Sequence, residues 1–155
     1  MPEIERKFLV ATIPDELPEP GMEIRQAYLS TEPTEVRVRS TDGGRHELTV
    51  KSLGGLTRAE VSVPVPSGQF DELLSLAHGV IEKTRHHVDL DGYTAEVDVY
   101  GGKLDGLVVV EVEFPSEQEA TSFVPPSWFG REVTTDGRFR NAALAVADGP
   151  PAPLA

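Results

Sequence analysis

The chain has 155 residues, a net charge of −12 and no cysteine. That length fits one domain. The acidity argues against a nucleic-acid binder that works through a general basic surface, and the missing thiols exclude disulfides, a thiolate metal site and a cysteine nucleophile.

No apolar run approaches the ~20 residues that span a bilayer, and no signal-peptide pattern opens the chain. The expectation is a cytoplasmic protein with no membrane and no nucleic-acid partner. Residues 1–10 read as a strand with Glu3, Glu5 and Lys7 on one face. Ile4, Phe8 and Val10 lie on the other, with Arg6 among them, because strand side chains alternate. A Pro-rich loop follows over 14–21. Ile24 to Ser30 is a second strand. Glu35 to Ser40 is a third, with Arg37 and Arg39 on one face and valines on the other. Asp42-Gly43-Gly44 turns the chain into Glu47–Lys51, where Glu47, Thr49 and Lys51 oppose Leu48 and Val50. Gly54-Gly55 turns it again into Thr57–Val65, which sets Arg58, Glu60 and Ser62 opposite Ala59, Val61 and Val63.

Gly68 to His78 has a helical stripe of Phe70, Leu73, Leu74 and Ala77, with Ser67 as the expected N-cap. Val80 to Leu90 returns to strand, with Lys83 and Arg85 on one face. After Asp91-Gly92, Tyr93 to Tyr100 sets Glu96 and Asp98 opposite Ala95, Val97 and Val99. Leu107 to Phe114 sets Glu111 and Glu113 opposite Val108, Val110 and Val112. A helix is expected over 116–124 with Ser116 as N-cap, and a last one from about Arg138 to Ala147. Trp128-Phe129 reads as a packed plug. The Pro-rich residues 148–155 read as a flexible tail beyond a single domain of 1–147.

A solvated face explains any one strand of this kind. It does not explain the series, because charged residues recur at i, i+2 and are mostly sorted by sign. Like charges on adjacent strands repel unless something of opposite charge lies between them. Acid pairs call for cations and basic pairs for a polyanion. The fold expected is α+β: a closed antiparallel barrel of about eight strands, its interior polar and charged, with helices packed outside on the valine and leucine faces. Arg forks and Lys charges suit a short chain of phosphates. Carboxylates suit Mg²⁺ or Mn²⁺ between themselves and phosphate oxygens.

The ordered set resembles the CYTH domain, or triphosphate tunnel metalloenzyme, family. Glu3-x-Glu5-x-Lys7 matches its opening motif. Arg37-x-Arg39, Lys51, Arg58-x-Glu60, Lys83-x-Arg85, Glu96-x-Asp98 and Glu111-x-Glu113 follow in its order. The segment EVTTDGRFRNAALA is similar to that of small stand-alone bacterial tripolyphosphatases, with Phe139 where Tyr is usual. The resemblance implies metal-dependent hydrolysis of a triphosphate, most simply inorganic tripolyphosphate. It implies Glu3, Glu5, Glu60, Glu96, Asp98, Glu111 and Glu113 around the metal. It implies Lys7, Arg37, Arg39, Lys51, Arg58, Lys83, Arg85 and Arg138 on the phosphates.

The water-activating group is open between Glu111 or Glu113 and a pair of Tyr28 with Lys51, in which the ammonium would lower the phenol's pKa. Lys7 belongs to the same reacting centre. His86 and His87 face opposite sides of a strand, so they do not ligate one ion together. Rival readings are a thiamine or nucleoside triphosphatase, a class IV-type adenylate cyclase, a non-enzymatic polyphosphate- or nucleotide-binding module, and a plain barrel with solvated charges. Monomer and homodimer are both compatible with the sequence.

Overall fold

The computed structural model describes residues 4–52 and 59–152. Glu3 and Arg58, both expected in the site, lie outside the described residues, as does the Gly54-Gly55 turn. Among the described residues, nine strands form one antiparallel sheet: β1 (Ile4–Val10), β2 (Met22–Ser30), β3 (Thr34–Thr41), β4 (Arg45–Ser52), β5 (Glu60–Pro64), β6 (Val80–Leu90), β7 (Tyr93–Tyr100), β8 (Val108–Phe114) and β9 (Phe129–Glu132). Three short helices accompany them: α1 (Ser67–Ser75), α2 (Glu117–Ser122) and α3 (Asn141–Val146).

The order across the sheet is β5-β4-β3-β2-β6-β7-β8-β1-β9. Its two ends are not hydrogen-bonded to each other, so closure is by curling. A single cavity touches both Lys7 on β1 and Glu60 on β5, which places the two halves of the sheet face to face. The result is barrel-like, with an open seam. The ninth strand is the unexpected one. Trp128-Phe129 does pack, with Phe129 against Phe8 at 5.0 Å. The chain then continues as β9, paired to β1.

Alternation decides the faces. On β1, Glu5, Lys7 and Leu9 point inward while Ile4, Arg6, Phe8 and Val10 point outward. The outer valines of β7 and β8 form one apolar cluster with Phe8, Phe129 and Ala120 of α2. Arg6 survives on that face because Glu132 takes its Nε and Nη2 at 3.0 and 2.7 Å, while the carbonyls of Ala120 and Phe123 take Nη1. A second outer cluster forms where Phe70 of α1 covers Ala27 and Val38. The cap of α1 is Pro66 rather than Ser67, without a side-chain hydrogen bond. Ser116 does cap α2, its Oγ accepting from Glu119 N at 3.2 Å.

The last helix behaves differently from the first two. A 3₁₀ turn, Gly137–Phe139, precedes α3, and both pack on the inward face. Phe139 and Leu144, each 0% exposed, join Leu9, Ile81, Tyr100 and Val109 in a third apolar cluster. Each of these side chains buries on the order of 1.5–3 kcal/mol of apolar transfer free energy. One end of the barrel interior is therefore stoppered by apolar side chains, and the charged residues line the rest. Gly79 permits this docking, since a Cβ there would collide with the carbonyl of Ala145. The tail up to Ala152 is tied back, its carbonyl accepting from Arg138 Nη1 at 3.0 Å.

Candidate active site

Register brings the acids together on one wall. Glu5 stands opposite Glu113, and Lys7 opposite Glu111. Glu111 stands opposite Glu96 on its other side, and Glu96 opposite His87. Directly opposed side chains on adjacent strands have Cβ atoms about 4.5–5.5 Å apart, so this wall concentrates negative charge. Lys7 compensates part of it: its Nζ lies 3.0 Å from Glu111 Oε1 and donates to the carbonyl of Phe139 at 3.2 Å.

The facing wall comes from β2 to β5. Arg39 Nε donates to Gln26 Oε1 at 3.0 Å, and Gln26 Nε2 donates to the Tyr28 hydroxyl at 3.1 Å. Arg37 stands opposite Tyr28 and Thr49. Its Nε is buried and has no hydrogen-bond partner among the described residues. Lys51 stands between Glu35 and Glu60 in the cross-strand row. Glu60, expected with the metal ligands, thus sits on the basic wall. Burial first, then the cationic neighbours Arg37 and Arg85, push the Arg39 guanidinium down to about 10. Glu35 and Glu60 offset part of the positive charge of Arg37, Arg39 and Lys51 on this wall.

Between the walls lies a cavity of about 380 Å³. Glu5, Lys7, Tyr28, Arg37, Arg39, Lys51, Glu60, Arg85, Glu96, Glu111 and Glu113 all line it. It opens into a vestibule of about 840 Å³ with which it shares Glu5, Lys7, Tyr28, Arg140 and Ala142.

Two of the expected residues sit behind the wall instead. Lys83 Nζ donates to Asp98 Oδ2 at 2.8 Å, with side-chain exposures of 0% and 4%. Arg85 also donates to Asp98, from Nε at 2.8 Å and Nη2 at 3.0 Å. Burial pushes the Asp98 carboxyl up, but Lys83 and Arg85 outweigh it and bring it to about 2. Burial brings Lys83 down to about 8 against the pull of Asp98. Neither side chain lines the cavity. Inward-facing alternation is right for both, but their depth along the strand hides them. Arg85 reaches the cavity and bridges β6 to β7, its Nη1 3.0 Å from Glu96 Oε2.

The expected Lys51 effect on Tyr28 does not appear. Burial dominates and raises the phenol, and the charges that act on it are Arg37, Glu35 and Arg39. Arg138 is also displaced from its expected role: its Nε and Nη2 donate to Asp136 at 3.0 and 2.7 Å, outside the charged cavity. Arg140, which the sequence reading did not select, lines the cavity in its place. The Arg-x-Arg spacing of 138 and 140 was the available signal. His86 points outward and meets the Pro18 carbonyl at 3.0 Å, whereas His87 faces Glu96 at 3.5 Å.

The donor set facing the cavity is carboxylate oxygen, which fits a hard divalent cation. Among the described residues, no three His, Asp or Glu side chains converge on one point to cage an ion.

The model of the CYTH domain matches residues 1–136. The chain belongs to the CYTH family. This CYTH protein is 48% identical to an inorganic triphosphatase from Nitrosomonas europaea, over 95% of this chain and 99% of that one. It is 38% identical to an inorganic triphosphatase from Acetivibrio thermocellus, over 92% of both chains. The crystal structure of an inorganic triphosphatase superposes with a TM-score of 0.76 at 42% identity, covering 95% of this chain and 96% of that one. A conserved hypothetical protein from Pyrococcus furiosus, 21% identical, shares the fold at a TM-score of 0.52, covering 77% of this chain and 82% of that one. Among the described residues, no helix of this CYTH protein is long and apolar enough to cross a membrane.

Proposed function

We propose that this chain hydrolyses inorganic triphosphate inside the charged cavity, in a reaction that requires Mg²⁺ or Mn²⁺. The observation that carries the reading is the facing of a carboxylate wall and an Arg-Lys wall across a cavity of about 380 Å³. The buried, unpartnered Arg37 Nε supports it, since a phosphate oxygen would satisfy that donor. The relatives named inorganic triphosphatase support the choice of substrate.

Arg37, Arg39 and Lys51 hold phosphate oxygens and neutralise charge that spreads as the bond breaks, and Arg85, held by Asp98 and Glu96, adds positive charge at the cavity wall. Lys7, on the carboxylate wall beside Glu111, adds a cationic contact for phosphate. One or two carboxylates of the wall formed by Glu5, Glu111 and Glu113, with water and substrate oxygens, would hold the divalent cation, which supplies charge neutralisation on the phosphates when bound. Glu113 or Glu111 orients the attacking water and receives its proton. Water oxygen bonds to the terminal phosphorus, the bond from that phosphorus to the bridging oxygen breaks, and diphosphate leaves with the electron pair. Tyr28, held protonated by burial, serves as a hydrogen-bonding group.

Thiamine and nucleoside triphosphates, and adenylate cyclisation, call for an organic group at the mouth. Of the rings that line the vestibule, Tyr28 and Phe139 are 5% and 0% exposed and offer no stacking face, whereas the His78 imidazole is exposed, so the choice of the inorganic substrate rests on the relatives named inorganic triphosphatase. Calorimetric titration tests the site. Tripolyphosphate should bind one site per chain with the divalent cation present, and the Arg37→Gln, Arg39→Gln double variant should weaken it at least about a hundredfold. Absence of binding to the wild-type chain would overturn the reading.

A further inference from the structure

Arg140 is a guanidinium of the triphosphate site that stands apart from Arg37 and Arg39, at the vestibule. Arg140 lines both the charged cavity and the vestibule. Among the described residues, no acid lies within ion-pair distance of it and no side-chain acceptor takes its protons. Its neighbours in sequence and space are committed elsewhere: Arg138 to Asp136 and the Ala152 carbonyl, Arg85 to Asp98 and Glu96, and Lys7 to Glu111.

The backbone beneath Arg140 is held in place. Its carbonyl accepts from Ala143 N at 3.0 Å and from Leu144 N at 2.9 Å, and its own N–H donates to Gly137 at 3.3 Å. Phe139 and Leu144, both 0% exposed, anchor it on either side. A fixed backbone carrying a free guanidinium at the junction of two cavities is placed to meet a ligand, with little backbone ordering left to lose.

The chemistry of the ligand follows from position. The terminal phosphate of an inorganic triphosphate carries one more ionisable oxygen than a phosphate esterified to an organic group. Arg140 stands on the vestibule side, where an organic group would have to leave the cavity. We propose that Arg140 is a specificity-determining substrate contact. It binds the terminal phosphate at the vestibule end and favours a free phosphate over a phosphate ester. This rests on the triphosphatase reading above.

The test compares tripolyphosphate with ATP in wild type, Arg140→Gln and Arg140→Lys, with Arg25→Gln as a control on the outer face of β2. Arg140→Gln should lower kcat/KM for tripolyphosphate at least about tenfold, the size of one charge-assisted contact. ATP should change less than about twofold, so the ratio between the two substrates collapses. Arg140→Lys should recover part of the loss, and Arg25→Gln should match wild type. Equal losses on both substrates, or no loss on tripolyphosphate, would overturn the assignment. The same variants titrated with each triphosphate give the affinity ratio without turnover. A chain that binds both but hydrolyses neither would sink the hydrolase reading, and the affinity ratio would still decide the role of Arg140.

Discussion

Replacing Asp98 by Asn separates a structural role from a metal-binding one. Asp98 accepts three hydrogen bonds, from Lys83 Nζ and from Arg85 Nε and Nη2, all at 2.8–3.0 Å. The Lys83 side chain is 0% exposed, so Asp98→Asn leaves an ammonium in the interior without its counter-charge. Breaking a buried pair from one side costs about 3–5 kcal/mol. At about 2–4 °C per kcal/mol for a chain of this size, the melting temperature should fall by roughly 6–20 °C. Adding Lys83→Met to Asp98→Asn removes the stranded charge and should recover part of the loss.

The pH dependence has a definite sign. The folded Asp98 carboxyl is lowered from 3.8 to about 2. Its contribution, about 2 kcal/mol, is therefore complete above the unfolded value and is lost as pH falls from 3.8 toward 2. Asp98→Asn should flatten that part of the acid-stability curve. Thermal denaturation at neutral pH and across this window measures both effects. A variant with wild-type stability whose cation requirement has risen sharply would refute the reasoning and return Asp98 to the metal ligands.

Three further outcomes are expected. Tyr28→Phe should lower turnover by a similar factor, roughly tenfold, near pH 7 and near pH 9.5, because burial raises the phenol; a loss confined to the alkaline assay would make the phenolate the base. Glu5→Gln should raise the Mg²⁺ concentration for half-maximal activity at least about tenfold, and an unchanged cation titration would remove Glu5 from the site. Ser116→Ala should cost about 1 kcal/mol through the lost cap of α2 and leave kcat/KM untouched; an intact melting temperature would show that the cap does not contribute.

Much of the site was readable because a strand sorts its side chains with a period of two. Glu5, Lys7, Arg37, Arg39, Glu111 and Glu113 alternate with mostly apolar neighbours, Arg6 and Ser40 excepted, and alternation puts each on the inward face of its strand. Depth along the strand has no such signature. Lys83 and Asp98 share parity with the cavity residues, yet they lie nearer the apolar stopper and neutralise each other. The stopper itself was hidden because the 3₁₀ turn at Gly137–Phe139 resets the phase before α3. Arg138 was expected on the phosphates from the resemblance, and its pairing with Asp136, which holds it outside the cavity, leaves no local pattern. β9 has only four residues, too few for a period, and its place depends on pairing with β1 far away in sequence. The open seam between β5 and β9 likewise depends on long-range geometry that no local pattern encodes.

The most direct test of the central claim is phosphate release from tripolyphosphate, thiamine triphosphate, ATP and diphosphate, each with Mg²⁺, Mn²⁺ or EDTA. Release should require the divalent cation, be fastest on tripolyphosphate, and fall below detection in the Arg37→Gln, Arg39→Gln variant. Release that persists in EDTA, or a preference for an organic triphosphate, would contradict it.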